Sequence, residues 1–259
     1  MNFFSKILAL LLFTSISVAQ KPKVKPNNTN LKYKAILVVG NTEDNTTSAI
    51  QSMNKIAEYL KDKGVKTKCF YDKVAKWDDI KKEANGAHFF IYNGHGTSGG
   101  GLNIESGGST KDIIELKLSK NAVVCFQSVC FGAGSSASDD SEISYDEAVK
   151  RVKWYAEPFF KSGAGCYYAN NWDNGILDFL KGLFNNKSSK SCFEYYNSEK
   201  IISYDSSKQI GLSLSNLGGT SKKTSYINGV KTVKIVPSHK SYDVAWISNP
   251  EFSLKNVGK

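Results

Sequence analysis

A chain of 259 residues, 41% hydrophobic and 12% aromatic, carries enough apolar surface for one large core, which excludes a disordered or fibrous protein. Its formal net charge of +10 comes almost wholly from lysine, with Arg151 the sole arginine. Lysine spread this evenly reads as a solvated surface and predicts no nucleic-acid partner.

Met1–Lys6 is short and positive, Ile7–Phe13 is apolar, and Ser17-Val18-Ala19 puts small residues at the −3 and −1 positions of a cut. This pattern predicts a cleavable signal peptide over residues 1–19, cut near Ala19, and a secreted or periplasmic protein. The apolar run is too short to span a bilayer, and no later stretch reaches transmembrane length. Residues 20–32, with Pro22, Pro26 and several asparagines, read as a disordered leader.

From Tyr33 strands and helices alternate. Lys34–Val39 is a buried strand ending at Gly40. Thr46 and Thr47 can cap a helix whose apolar face (Ala49, Ile50, Met53, Ile56, Ala57, Leu60) ends at Gly64. A strand over Val65–Tyr71 and a helix over Trp77–Ala84 precede a strand that starts at Ala87. A glycine-rich excursion, Gly99–Gly108, has room for a small hairpin, and Asp112–Leu118 makes a helical turn. Then come a strand at Ala122–Phe126, a polar loop at Ser135–Ser144, a helix at Tyr145–Lys161, a strand at Gly165–Ala169 and a helix at Gly175–Phe184. The pattern predicts an α/β domain over residues 33–186 with a mainly parallel sheet and helices on both faces. Past residue 187 the rhythm changes. One more helix at Cys192–Ile202 is expected, then β-like runs at Ile210–Leu214, Ser225–Val236 (with a turn at Asn228-Gly229) and Tyr242–Ile247. Residues 187–259 read as a small β-rich extension completing or covering the sheet.

The chemistry-bearing residues sit at two strand ends. The run Phe89-Phe90-Ile91-Tyr92 stops at Gly94-His95-Gly96, and thirty-five residues after His95 the second strand has ended in Gln127-Ser128-Val129-Cys130 before Phe131-Gly132-Ala133-Gly134. Open α/β sheets bind ligands at the carboxyl ends of their strands, so His95 and Cys130 would lie side by side. A histidine base raises the thiolate fraction of a neighbouring cysteine, and the thiolate attacks a carbonyl. The backbone N–H groups of Gly96 and Cys130 could receive the oxyanion. The competing reading is a histidine and a cysteine that merely fill space. The other thiols are less suggestive: Cys69, Cys125 and Cys166 fall in predicted strands, Cys192 beyond them, and five irregularly spaced cysteines make no disulfide framework.

The segments Y-N-G-H-G and Q-S-V-C-F-G-A-G resemble the motifs of the caspase-fold cysteine peptidases, the group of caspases, metacaspases, legumain, gingipains, clostripain, separase and the CHAT proteins. Gly163–Asp173 resembles the strand and tryptophan loop that follow in separase and CHAT proteins. The similarity covers about Lys34–Phe184; one departure is Val129, where a smaller residue usually precedes the cysteine. The resemblance implies a caspase-like three-layer sandwich and a protein or peptide substrate hydrolysed by a Cys-His dyad without a metal in the chemistry. Carried over by position, His95 is the base, Cys130 the nucleophile and Gly96 an oxyanion donor. Family members usually require a charged or amide P1 side chain. Asp173 could face a P1 arginine or lysine with Trp172 as a pocket wall; Asp139, Asp140 and Glu142 could do so instead, or all could be solvated loop carboxylates.

His88 reads as a packed histidine and His239 as an exposed one. No Gly-Lys-Ser/Thr follows Gly99–Gly101, which speaks against nucleotide binding. No cofactor is expected, although carboxylate-rich loops could bind structural calcium. A second hypothesis is a catalytically inactive caspase-fold binding protein, and a third an envelope-associated protein whose β-rich tail is the working part.

Overall fold

The structure, a computed structural model, describes residues 33–259 except 41, 43, 44, 173, 196–198, 217–220, 228, 229, 237 and 238, and over 216–238 describes the backbone alone. The expected signal peptide, leader and Asn228-Gly229 turn therefore lie outside the described residues.

Continuous apolar runs become strands buried on both faces. β1 (Lys34–Val39), β3 (Phe89–Asn93), β4 (Ala122–Gln127) and β5 (Ala164–Asn170) are almost wholly buried along their length, as parallel strands covered by helices on both sides must be. With β2 (Lys66–Tyr71) they run parallel in the order β2-β1-β3-β4-β5. The chain is an α/β protein.

Successive residues point to opposite faces, and two cores result. Ile36, Val38, Phe90, Tyr92 and Phe126 pack on α2 (Trp77–Ala84), α3 (Thr110–Ile114) and α4 (Tyr145–Lys161). Leu37, Val39, Phe89, Ile91 and Cys125 pack on α1 (Thr46–Asp62), α5 (Gly175–Phe184) and α6 (Ser189–Phe193). Phe126 is the hub of the first core: its ring lies 5.7, 5.4, 5.6 and 5.3 Å from those of Tyr92, Tyr155, Phe159 and Tyr167. In α4, Ser144 caps the first turn by accepting from the Glu147 N–H. Pro158 inside that helix cannot bond the Trp154 carbonyl, and the backbone of Gly100 packs against the group it leaves free.

The C-terminal strands extend the sheet. β10 (Lys240–Ser248) pairs antiparallel with β5 and with β7 (Gln209–Asn216), and β6 (Glu199–Ser203) forms the edge, so the order continues β5-β10-β7-β6. β8 (Ser221–Ile227) and β9 (Val230–Val236) make a separate hairpin between β7 and β10.

Local differences from the sequence reading have physical causes. Cys192–Ile202 is not one helix. Ser188 caps α6 upstream by accepting from the Ser191 N–H, and the Lys200-Ile201-Ile202 run finds a partner in Gly211 and its neighbours as an edge strand. The residue before α1 is Asn45, without a side-chain cap, while the Thr46 hydroxyl accepts from the Thr42 N–H instead. Asp112 lies inside α3, in a capping box with Ser109, rather than at its start. Among the described residues the glycine-rich excursion makes only isolated bridges, Gly96–Leu102, Ile104–Gly107 and Lys76–Glu105. No described helix is long and apolar enough to cross a membrane.

Candidate active site

β3 and β4 are parallel neighbours with Asn93 opposite Gln127, so whatever follows either strand emerges at the same edge of the sheet. His95 stands exposed two residues beyond β3, and Cys130, half-buried, three residues beyond β4.

The turn carrying His95 is held by its backbone. Its carbonyl accepts from the Tyr92 hydroxyl at 2.9 Å and from the Asn103 N–H at 3.0 Å. The Thr97 N–H donates to the Gly101 carbonyl at 3.0 Å, so Gly96 and Leu102 form a non-hydrogen-bonded antiparallel pair. In such a pair the N–H of Gly96 points away from Leu102. On its other side Gly96 lies flat against the Cys130 loop: a Cβ there would sit under 3.0 Å from the Cys130 carbonyl oxygen, the Tyr155 hydroxyl and the Val129 side chain. Only glycine fits, and its backbone brings the two strand ends into contact.

The loop around Cys130 is a fixed one. Ser128 (φ 54°) and Phe131 (φ 66°) both take left-handed backbone angles, uncommon for residues with a Cβ. Surrounding groups hold them there. The Ser128 N–H donates to Asn170 O at 3.3 Å, Gly132 N–H to Val129 O at 2.9 Å, and Phe131 N–H to Ser135 O at 2.9 Å. The Tyr167 hydroxyl donates to Gly132 O at 2.8 Å. The Tyr155 hydroxyl donates to Thr97 O at 2.9 Å and reaches Cys130 O at 3.2 Å, bridging both loops. Burial pushes the Tyr155 phenol well up, so it remains a donor at neutral pH. Among the described residues the N–H groups of Gly96 and Cys130 donate to no partner.

The remaining thiols lie elsewhere. Cys125 and Cys166 are buried, and burial pushes both thiols up; burial also pushes Cys192 up to about 11. Only Cys69 and Cys130 are partly exposed.

Four of the five residues considered for a P1 pocket are described. Asp139 is taken: both its carboxylate oxygens accept from Arg151 Nη1, at 2.9 and 2.8 Å, and one also accepts from the Ser136 N–H at 2.7 Å. Its side chain is 9% exposed, so it clamps its own loop instead of facing a substrate cation. Arg151, reaching back from α4, also donates to Gly134 O and Glu147 and lies over the Phe131 ring at 5.2 Å, next to Cys130. Arg151→Met removes the ion pair and both hydrogen bonds that Arg151 makes to the Asp139 carboxylate and is expected to cost about 3 kcal/mol in urea denaturation, part of it recovered by adding Asp139→Asn. Trp172 follows β5 at the same edge of the sheet, 45% exposed, its N–H donating to Asn170 Oδ1 at 2.8 Å. Asp173 lies outside the described residues. Asp140 and Glu142 are exposed.

Asp243 is a residue the sequence reading missed. Pairing between β10 and β7 slips from Tyr242–Leu214 to Val244–Ser213, which makes Asp243 the extra residue of a bulge at the edge where β5 ends. Bulges re-aim side chains beside active sites. The residue is 6% exposed, and its carboxylate accepts from Ser241 Oγ at 3.0 Å, Asn171 Nδ2 at 3.3 Å and Ser215 Oγ. These donors are all neutral, and no ion pair to it occurs among the described residues. The sequence signal was a carboxylate within the apolar run Tyr242–Ile247.

A cleft of about 370 Å³ opens on the side of His95 away from Cys130, lined by Gly40, Asp72, Ala75, His95, Ile104 and Glu105 among others. It lies where the strand order reverses between β1 and β3, the crevice in which doubly wound sheets bind ligands. Among the described residues no group of three or more histidines, cysteines and carboxylates is arranged to hold a metal.

No family model and no curated protein matches the chain. Among solved structures it is similar to a short-chain flavodoxin associated with a non-canonical PDU bacterial microcompartment, at 14% identity over 51% of this chain and 77% of that one. The TM-score of 0.30 is too low to bear on the site.

Proposed function

We propose that the protein is an exported caspase-like cysteine endopeptidase that cleaves peptide bonds after a basic residue. The observation that carries this reading is the packing of Gly96 against the Cys130 carbonyl, which brings the loops bearing His95 and Cys130 together at the ends of neighbouring parallel strands. The resemblance of both motifs to caspase-fold peptidases, and the helices on both faces of the parallel sheet, support it further.

The chemistry needs only the chain's own groups. His95 takes the proton of the Cys130 thiol, and the thiolate attacks the scissile carbonyl carbon. The oxyanion accepts from the N–H groups of Gly96 and Cys130, neither of which donates to another group among the described residues. As the tetrahedral intermediate collapses, imidazolium protonates the leaving amine and a thioester remains. His95 then deprotonates a water, which attacks the thioester and returns the free thiol with a carboxylate product.

Asp243 is the P1 selector in this reading, with Trp172 at the rim. Neutral donors already satisfy part of its carboxylate, and a guanidinium or ammonium supplies a counter-charge that no group among the described residues provides. The test is hydrolysis of fluorogenic peptides that differ at P1 alone. Arginine or lysine is expected to be preferred, and Asp243→Asn to lower kcat/KM for them roughly 100-fold while leaving neutral P1 residues little changed. Equal loss for all P1 residues would make Asp243 a structural carboxylate, and failure to cleave any peptide would remove the peptidase reading.

A further inference from the structure

We infer that the cleft beside His95 receives the residues on the leaving-group side of the scissile bond, and that Asp72 and Glu105 select a cationic side chain there. The inference rests on the peptidase reading. In that reaction the acyl carbon is bonded to sulfur, the oxyanion lies on the Gly96 and Cys130 N–H groups, and the leaving nitrogen must be within hydrogen-bond reach of the imidazole that protonates it. The nitrogen and the chain beyond it therefore depart on the His95 side.

The strand order fixes what lies there. Next to β4 with Cys130 comes β3 with His95, then the end of β1 at Gly40, then the end of β2 at Asp72. A chain leaving over the imidazole runs onto β1 and β2, where the cleft opens. Its volume of about 370 Å³ is within the range of small-ligand sites, and buried Ala75 and Ile104 offer apolar surface for a side-chain stem.

Both carboxylates stand on held backbone. Asp72 takes a left-handed φ of 53° at the end of β2, and its carbonyl accepts from the Ala75 N–H at 2.8 Å. Glu105 belongs to the glycine-rich excursion, which is tied to the start of α2 by the Trp77 N–H donating to Glu105 O at 3.2 Å. Neither carboxylate forms an ion pair among the described residues. Lys73 also lines the cleft, which leaves two carboxylates against one ammonium.

Three substrates sharing one arginyl acyl portion test this on the full mature chain. One is a fluorogenic amide with no residue after the scissile bond; the others are internally quenched peptides with arginine or glutamate in the first two positions after it. Wild type is expected to favour the arginine peptide over the glutamate peptide about fivefold in kcat/KM, the scale of two exposed ion pairs. The double variant Asp72→Asn, Glu105→Gln is expected to bring that ratio to about one, and Glu105→Lys to invert it. Asparagine tolerates the left-handed angle at residue 72, which keeps the fold out of the comparison. A wild-type ratio of one, or a ratio unmoved by the variants, with the amide still hydrolysed, overturns the cleft assignment alone. Hydrolysis of none of the three by wild type overturns the peptidase reading and this inference with it.

Discussion

Cys130→Ala is expected to abolish peptide hydrolysis, a fall of roughly 10⁴-fold or more in kcat, with thermal unfolding nearly unchanged. The split follows from where the residue sits. Cys130 is half-buried on a loop past the sheet edge and belongs to neither core, so losing its sulfur empties no packed volume. The loop keeps its shape through the backbone carbonyls of Cys130, Gly132 and Gly134, which side-chain removal does not touch. His95→Ala is expected to give a similar loss, at least 10²-fold, because the exposed imidazole is likewise outside the core. The measurement is turnover of a P1-arginine peptide alongside calorimetry. Activity surviving in Cys130→Ala would place the chemistry on another residue.

Phe126→Ala should do the opposite and remove stability first. Its side chain is fully buried on β4 and touches the rings of Tyr92, Tyr155, Phe159 and Tyr167. A truncation of this kind costs about 4 kcal/mol, part transfer free energy and part cavity. Three of those four neighbours also serve the site: Tyr92 holds the His95 carbonyl, Tyr155 reaches the Cys130 carbonyl and Tyr167 holds the Gly132 carbonyl. Urea denaturation of Phe126→Ala is expected to show that loss, and activity is expected to fall even where the variant remains folded. Phe126→Leu, which fills more of the space, should recover most of the stability.

Much of the architecture was legible because burial on both faces leaves an unmistakable trace. Phe89-Phe90-Ile91-Tyr92 and Ala122–Phe126 had no polar alternation to suggest an edge, and both became central parallel strands. The helices over Trp77–Ala84, Tyr145–Lys161 and Gly175–Phe184 appear with the expected bounds, since each carries its own apolar face and ends at a turn. The glycines around His95 also had a readable purpose, though the steric reason, the Cys130 carbonyl against Gly96, needs the partner loop.

What stayed hidden depends on contacts made across long separations. Nothing near Asp139 in the chain says that Arg151 will return over it from α4, and a loop carboxylate looked free until that guanidinium was placed. Asp243 becomes a bulge residue only because β7 pairs out of step with β10. The helix expected at Cys192–Ile202 failed for a similar reason: the β-branched pair Ile201-Ile202 is stabilised by β7, not by its neighbours in sequence.

The central claim, that imidazole and thiol act together in one cleft, is tested most directly by intact-mass measurement after treatment with a peptidyl acyloxymethyl ketone carrying arginine at P1. Wild type is expected to gain one adduct, mapped to Cys130, and Cys130→Ala none, while in His95→Ala labelling slows at least 10²-fold. Labelling of His95→Ala at the wild-type rate, or an adduct on half-buried Cys69 in place of Cys130, would contradict it.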